Sequence, residues 1–286
     1  MLAEEATPVM DVVSQFSQVL EDTGLRAENS GMKCLFRNSS EKFWDTVLDK
    51  ISYQAMGYYQ DTIDYQLAYF REGRDFDRDD LDIMDLSLIL HNDHQPCGVW
   101  PLSVHINSSG KYKFTSYGMN IIPPIFVKGM SPRAEKRIIR LCVDAIKNFC
   151  NENECEAPIF SEILMMTQEN SMSELYRYLL SEGAEVNISH QMFIDLQMEI
   201  SEIKAKFRKS YRALINSGQR EWDTYVLDSS GVDIWNEFRD LHKEASGRLT
   251  RSELSWSLQY DSILEGNAFL VYLRDSTGRM IGAGYF

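Results

Sequence analysis

The stretch from Ala268 to Phe286 limits the possible folds more sharply than any other. Residues 268–273 are apolar and rich in strand formers, 274–279 are polar turn chemistry, and 280–286 are apolar again. This pattern predicts a β-hairpin. A lone hairpin is marginally stable in water and needs further strands or a helix over its face. The hairpin therefore belongs to a larger sheet, and the expectation is that the next strand of that sheet lies beyond Phe286.

A second segment has the same form. Leu88-Ile89-Leu90, a polar turn and Cys97-Gly98-Val99 match Val271-Tyr272-Leu273, a polar turn and Ile281-Gly282-Ala283. Each pair is an apolar strand followed by a return strand with glycine near its start, which suggests an internal repeat. Helical signals surround both hairpins. Thr7-Pro8 opens a helix carrying Val12, Phe16, Val19 and Leu20, after which a polar stretch to Asn38 reads as a linker. Ser40 stands as a cap before Phe43, Trp44, Val47 and Leu48, and a tyrosine-rich segment follows. Ser131-Pro132 starts an amphipathic helix with Ile138, Leu141, Cys142, Ala145 and Phe149 on one face. Strands are expected at 112–116, 157–164, 192–196 and 224–227, with helices at 172–180, 199–216, 232–245 and from 250 to 264. Thr250 with Glu253 reads as a capping box for the last helix. Helices mixed with tight hairpins predict a mixed α/β (α+β) fold with largely antiparallel sheets.

The composition excludes several classes. Hydrophobic residues make up 44% of 286, enough for a packed core. No apolar run is long enough to span a bilayer. Five cysteines, an odd number without CxxC spacing, fit reduced thiols in a cytoplasmic protein and neither a disulfide frame nor a zinc site. The five histidines lack ligand spacing, and the acidic run 75–82 lacks the glycine and glutamate of a calcium loop, so no metal is expected. A net charge of −14 argues against DNA as a partner. Within that acidic chain lies one reversal: between Ile203 and Arg220 stand six basic residues and no acidic one.

Phe207-Arg208-Lys209-Ser210-Tyr211-Arg212, the run Trp235–Ala245 leading to Gly247-Arg248-Leu249-Thr250-Arg251-Ser252, and the 267–286 hairpin together resemble the FemAB-like acyltransferases of the GNAT superfamily. The similarity extends over residues 40–286 as a pattern of elements and is sharpest from Lys204 onward. It implies two GNAT-like domains in tandem, with an N-terminal helix and linker at 1–38, a first domain at 39–198, and a linker helix plus a partial second domain at 199–286. It also implies transfer of an acyl or aminoacyl group to an amine, with acyl-CoA or aminoacyl-tRNA as co-substrate and no tightly bound cofactor. The acceptor would be a small molecule, a nucleotide-sugar or a peptide. The acceptor amine attacks the activated carbonyl directly, so the protein supplies position and an oxyanion donor. The alternative is a GNAT-like binding module for a nucleotide-sugar or peptide that performs no chemistry.

Candidate substrate-binding residues follow from charge and spacing. Lys204, Arg208 and Arg212 fall at i, i+4 and i+8 of the expected 199–216 helix, a ridge able to grip phosphates. It would flank a buried stripe of Ile200, Ile203, Phe207, Tyr211, Leu214 and Ile215. Arg248 and Arg251 bracket the start of the next helix, where a cation opposes the helix dipole and a bound anion would offset that. Trp256 and Tyr260, on the opposite face from Leu254 and Leu258, are candidates for a site wall. No residue stands out as a general base.

Overall fold

The computed structural model describes residues 9–26, 31–51, 55–72, 82–93, 95–107, 109–162, 173–188 and 194–286. They divide into two units, Met1–Glu185 and Val186–Phe286. The sequence-drawn boundary at 198/199 falls inside the second. The expected helix start at Thr7-Pro8, part of the expected strands at 157–164 and 192–196, Tyr53 and most of the acidic run lie outside the described residues.

In the first unit, β1 (Met32–Phe36) pairs antiparallel with β3 (Leu88–Asn92), β3 with β4 (Gln95–Trp100), and β4 with β7 (Ile125–Phe126). A second sheet is made of β2 (Asp82–Asp85), β5 (Ser103–Ile106) and β6 (Tyr112–Thr115). Asp85 opposes Ser103 and Leu88 opposes Trp100, so one register runs through both pairs. The two sheets therefore share one long hairpin, bent where Ser87 faces Pro101. Proline has no N–H to give to the ladder. The Ser87 hydroxyl repairs the gap by accepting the Leu102 N–H at 2.9 Å.

Helices cover these sheets. α1 (Val9–Asp22) buries Val12, Phe16, Val19 and Leu20 in a core shared with α4 (Pro132–Glu152), where Phe16 meets Phe149 with centroids 5.9 Å apart. It is part of the unit, and the polar stretch read as a linker after it contains β1. α2 (Glu41–Leu48) and α3 (Gln60–Arg71) bury Trp44, Val47, Leu48, Ile63 and Leu67 in a second cluster with Ile89 and Val99. Of the tyrosines, Tyr58 is buried and donates to the Pro123 carbonyl at 2.7 Å, while Tyr59 is 40% exposed. α5 (Glu174–Ser181) starts on Ser173, whose side chain accepts the Tyr176 N–H. No strand forms in the described parts of 157–164 and 192–196 beyond a single bridge at Phe160.

A charged network lies buried among these elements. Arg37, only 2% exposed, donates to Asp85 at 2.9 Å and to Asp64 of α3 at 2.8 Å. Asp85 also accepts from the Ser87 N–H at 2.9 Å and the Tyr117 hydroxyl at 2.7 Å. Burial alone would lower the Arg37 pKa, but Asp85, Tyr117 and Asp64 outweigh it and raise it. Tyr117 holds a left-handed φ of 55°, a strained state for a bulky residue.

In the second unit, β8 (Asp223–Leu227), β9 (Leu270–Arg274) and β10 (Met280–Tyr285) form an antiparallel sheet in the order β8-β9-β10. Between β8 and β9 lie α8 (Val232–Ser246) and α9 (Glu253–Leu264). Trp235, Phe238, Trp256, Ile263, Leu270, Tyr272 and Met280 form their common core. Glu237 of α8 clamps the hairpin, accepting from Arg274 at 3.0 and 2.6 Å and from the Met280 N–H at 3.0 Å. α6 (Ile200–Lys206) and α7 (Lys209–Glu221) precede β8 and bury no residue.

Part of the element order recurs in the two units. In the first it is β1, α2, α3, then β2 of the other sheet, β3 and β4; in the second it is β8, α8, α9, β9 and β10. Strand, two helices and a hairpin thus recur with one extra strand in the first, and each hairpin's first strand is central among its three. Both hairpins contain a register shift, at Leu90/His91 and at Met280/Gly282. Gly98 opposes Leu90, and Gly282 opposes Leu273. Their surroundings differ: a Cβ on Gly98 would stand 2.6 Å from the Ile125 carbonyl oxygen of β7, whereas one on Gly282 would meet only Leu273 at 3.8 Å.

Two stability tests follow. Gly98→Ala is expected to cost about 1–3 kcal/mol through overpacking, and Gly282→Ala less than about 0.5 kcal/mol; urea unfolding of both variants measures the difference. Asp85→Ala leaves a buried guanidinium short of a partner and should cost roughly 3–5 kcal/mol. Tyr117→Phe, which removes one hydrogen bond to Asp85, should cost about 1–2 kcal/mol. Equal losses in these two variants would show that the charge is not the dominant member.

Candidate functional site

Two helices and the turn joining them create a cavity in the second unit. α8 turns Ile234, Trp235, Phe238 and Leu241 toward the core. Its spacing of 3.6 residues per turn then places Asn236, Arg239, Asp240 and Lys243 together on another face. α8 ends at Gly247, whose φ of 66° lets the chain turn sharply. Arg248-Leu249-Thr250-Arg251 follow, and Ser252 caps α9 by accepting the Ser255 N–H at 3.1 Å. The cap is thus Ser252, not Thr250 as its spacing from Glu253 suggested. The serine oxygen satisfies an N–H of the first turn directly, a role for which Thr250 stands two residues too early.

The resulting pocket has a volume of about 340 Å³ and is lined by Asn236, Arg239, Asp240, His242, Lys243, Arg248, Leu249, Thr250, Glu253 and Trp256. Arg239 pairs with Glu253. The side chains of Lys243 and Arg248 are exposed, and neither meets a protein partner. Trp256 forms the floor at 5% exposure. The Arg251 guanidinium lies 4.7 Å from its ring centroid and that of Arg239 lies 5.8 Å away. His242 packs edge-on against the same ring at 5.2 Å. Burial, and secondarily Arg251, lower the His242 pKa, which favours the neutral imidazole. Three lysine and arginine cations against two carboxylates, with Arg251 close behind, give this cavity a positive balance on a chain of net charge −14. It can hold an anionic group between Lys243 and Arg248 by charge-assisted hydrogen bonds.

The sequence candidates separate into three places. Arg248 and Trp256 line the pocket, and Arg251 stacks on Trp256 beside it. Trp256 is covered by cations and by the edges of Trp235 and Phe238, so it fixes the arginines in place and offers no open face for stacking. Tyr260 lies elsewhere. Its ring stacks on Trp235 and its hydroxyl accepts the Gly231 N–H at 2.9 Å, which anchors the start of α8. On α9 the buried face carries Trp256 and Ile263, with Tyr260 half-buried and Leu254 exposed.

The basic ridge takes a different form. Phe207 and Arg208 are extended, with ψ of 147° at both, and split the expected 199–216 helix into α6 and α7. α7 continues through Gly218 to Glu221. Lys204 of α6 reaches Gln219 at 3.2 Å, while Arg208, in the break, and Arg212, on α7, are exposed. The three cations therefore do not form one helical ridge. The expected buried stripe is absent too: Ile200, Tyr211 and Leu214 are 73%, 58% and 67% exposed.

Asn236, Arg239, His242 and Lys243 are site residues that the apolar reading of α8 passes over. Their signal is a polar i, i+3, i+7 face on an otherwise core-forming helix, set against a following Gly-Arg-Leu-Thr-Arg turn. Among the described residues, no group of three or more histidines, cysteines and carboxylates could hold a metal ion, and no helix is long and apolar enough to cross a membrane. Comparison of the chain with protein-family models, with curated proteins and with solved structures gives no match in any of the three.

The pocket's charge can be tested directly. Arg248→Ala and Lys243→Ala should each weaken binding of inorganic pyrophosphate roughly tenfold, the loss of one charge-assisted hydrogen bond. Stability should stay within about 0.5 kcal/mol, because both side chains are exposed. Titration calorimetry at low and high salt measures this, and Arg212→Ala should leave the affinity unchanged.

Proposed function

We propose that the chain is a GNAT-fold N-acyltransferase or aminoacyltransferase of the FemAB-like type, built on two related units. The observation that carries this reading is the repeated order of strand, two helices and antiparallel hairpin. The matched register shifts and the glycines opposite Leu90 and Leu273 add to it. The same plan is the one that the sequence resemblance implies. In the second unit the α8–α9 pocket receives an anionic part of a substrate, with Lys243, Arg248 and Arg251 supplying charge and Trp256 holding the arginines. The amine of the acceptor attacks the activated carbonyl of an acyl-CoA or aminoacyl-tRNA, and the bond to sulfur or ribose oxygen breaks as the amide forms. Chemistry of this kind needs position and charge more than a protein nucleophile.

Incubation of the purified chain with labelled acyl-CoA or aminoacyl-tRNA, and with nucleotide amino-sugars and amino-terminal peptides as acceptors, tests the reading. Labelled amide product, reduced at least tenfold by Arg248→Ala, is the expected result. Saturable acceptor binding with no product from any donor would assign the chain instead to the non-catalytic binding modules. Neither binding nor product would overturn both readings.

A further inference from the structure

The basic run between Ile203 and Arg220 stands apart from the α8–α9 pocket, and its charges are unanswered. Lys204, Lys206, Arg208, Lys209, Arg212 and Arg220 do not line that pocket. Among the described residues none of the six forms an ion pair with a carboxylate. Lys204 meets the Gln219 side-chain oxygen at 3.2 Å and Lys206 the Met198 sulfur at 2.9 Å, both neutral groups. Other cations of the chain are treated differently: Arg37, Arg140, Arg274 and Arg279 each meet a carboxylate.

The helices that carry this charge also lack apolar cover. At 3.6 residues per turn Ile200 and Ile203 share one edge of α6, with Lys204 on one flank and Lys206 on the other. On α7, Tyr211, Leu214, Ile215 and Gly218 share one face. Arg212 borders that face, Arg208 heads the helix, and Lys209 and Arg220 lie behind. Neither helix buries a residue. Ile200, Tyr211 and Leu214 are exposed, and Ile203, Phe207 and Ile215 are half-buried. The acidic residues of the two helices are Glu202 and Glu221, and Glu221 accepts from the Ser217 hydroxyl at 2.9 Å.

We propose that α6 and α7 are a docking surface for an anionic lipid bilayer, on which they lie with their apolar edges in the headgroup boundary. Such a boundary answers both features at once. Aliphatic side chains enter the acyl region, and lysine and arginine stems lie along it while their charged ends reach lipid phosphates and carboxylates. A nucleic acid answers the cations alone, because its backbone offers charge and its bases stack on aromatic rings, which leaves Ile200 and Leu214 without a partner. Neither helix is long and apolar enough to cross a membrane, so both rest on its surface. The net charge of −14 is no obstacle. Exposed charges more than about 8 Å apart are largely screened at physiological salt, so the bilayer responds to the local cations rather than to distant acids.

The test is co-sedimentation of the full chain with vesicles of phosphatidylcholine alone and of phosphatidylcholine mixed with phosphatidylserine. Each cation close to an anionic surface strengthens binding about fivefold. The mixed vesicles should therefore bind about tenfold tighter or more, and the binding should weaken as salt rises. Arg208→Glu combined with Arg212→Glu should weaken it by about tenfold or more, as should Tyr211→Ser combined with Leu214→Ser. Lys111→Glu with Arg133→Glu makes the same change of charge on exposed residues of the first unit and should leave binding within about twofold. Circular dichroism establishes that the variants are folded. Equal binding to both kinds of vesicle, no binding to either, or an equal loss in the Lys111 and Arg133 variant would each overturn the proposal. Binding of bulk tRNA that responds to the arginine changes, with no vesicle binding, would overturn it in favour of nucleic acid. If the Tyr211 and Leu214 variant unfolds, the arginine variant and its control decide between the same results.

Discussion

A buried positive charge organises the first unit. Removing a guanidinium from water costs several kcal/mol unless carboxylates meet it with good geometry. Arg37 follows directly on β1, and its partners come from the end of β2, from α3 and, through Asp85, from the turn after β6. Satisfying that one side chain therefore requires both sheets and α3 to be in place together. Tyr117, held at positive φ at a cost of roughly 1–3 kcal/mol, adds one hydrogen bond to Asp85. Ser87 belongs to the same knot, since its backbone N–H serves Asp85 and its hydroxyl mends the ladder opposite Pro101.

What the sequence made legible was local. Both hairpins, α4 behind Ser131-Pro132 and the glycine-ended α8 and α9 stand near the expected places, because short-range periodicity and turn chemistry specify them. Features set by distant partners were harder to see. β1 looked like linker because it is short, is interrupted by Lys33 and is followed by the polar run 37–40, and only its pairing with β3 makes it a strand. Asp85 and Ser87 likewise carry no signal until Arg37 and Pro101 are brought against them. The break at Phe207–Arg208 contains neither proline nor glycine, so nothing in the local chemistry announces it.

The candidate site was half legible for a related reason. Arg248 and Arg251 stand out as cations at the start of a helix, where they oppose its dipole. Their counterparts on α8, from Asn236 to Lys243, are interleaved with the core positions Phe238 and Leu241. Trp256 lines the cavity, where it holds Arg239 and Arg251 by cation–π contact. Tyr260 shows how a polar-tipped aromatic at helical spacing can be structural, with its hydroxyl spent on the Gly231 N–H. Three cations against two carboxylates give this open pocket a positive balance within an acidic chain, a setting that attracts anions.

That cavity is the central functional assignment, and backbone amide shifts locate a ligand without any assumption about chemistry. In ¹H–¹⁵N spectra of the full chain titrated with inorganic pyrophosphate, saturable shifts should cluster at residues 236–256 around Lys243, Arg248 and Thr250. Shifts concentrated on residues 200–221 of α6 and α7, or the absence of any saturable shift, would contradict it.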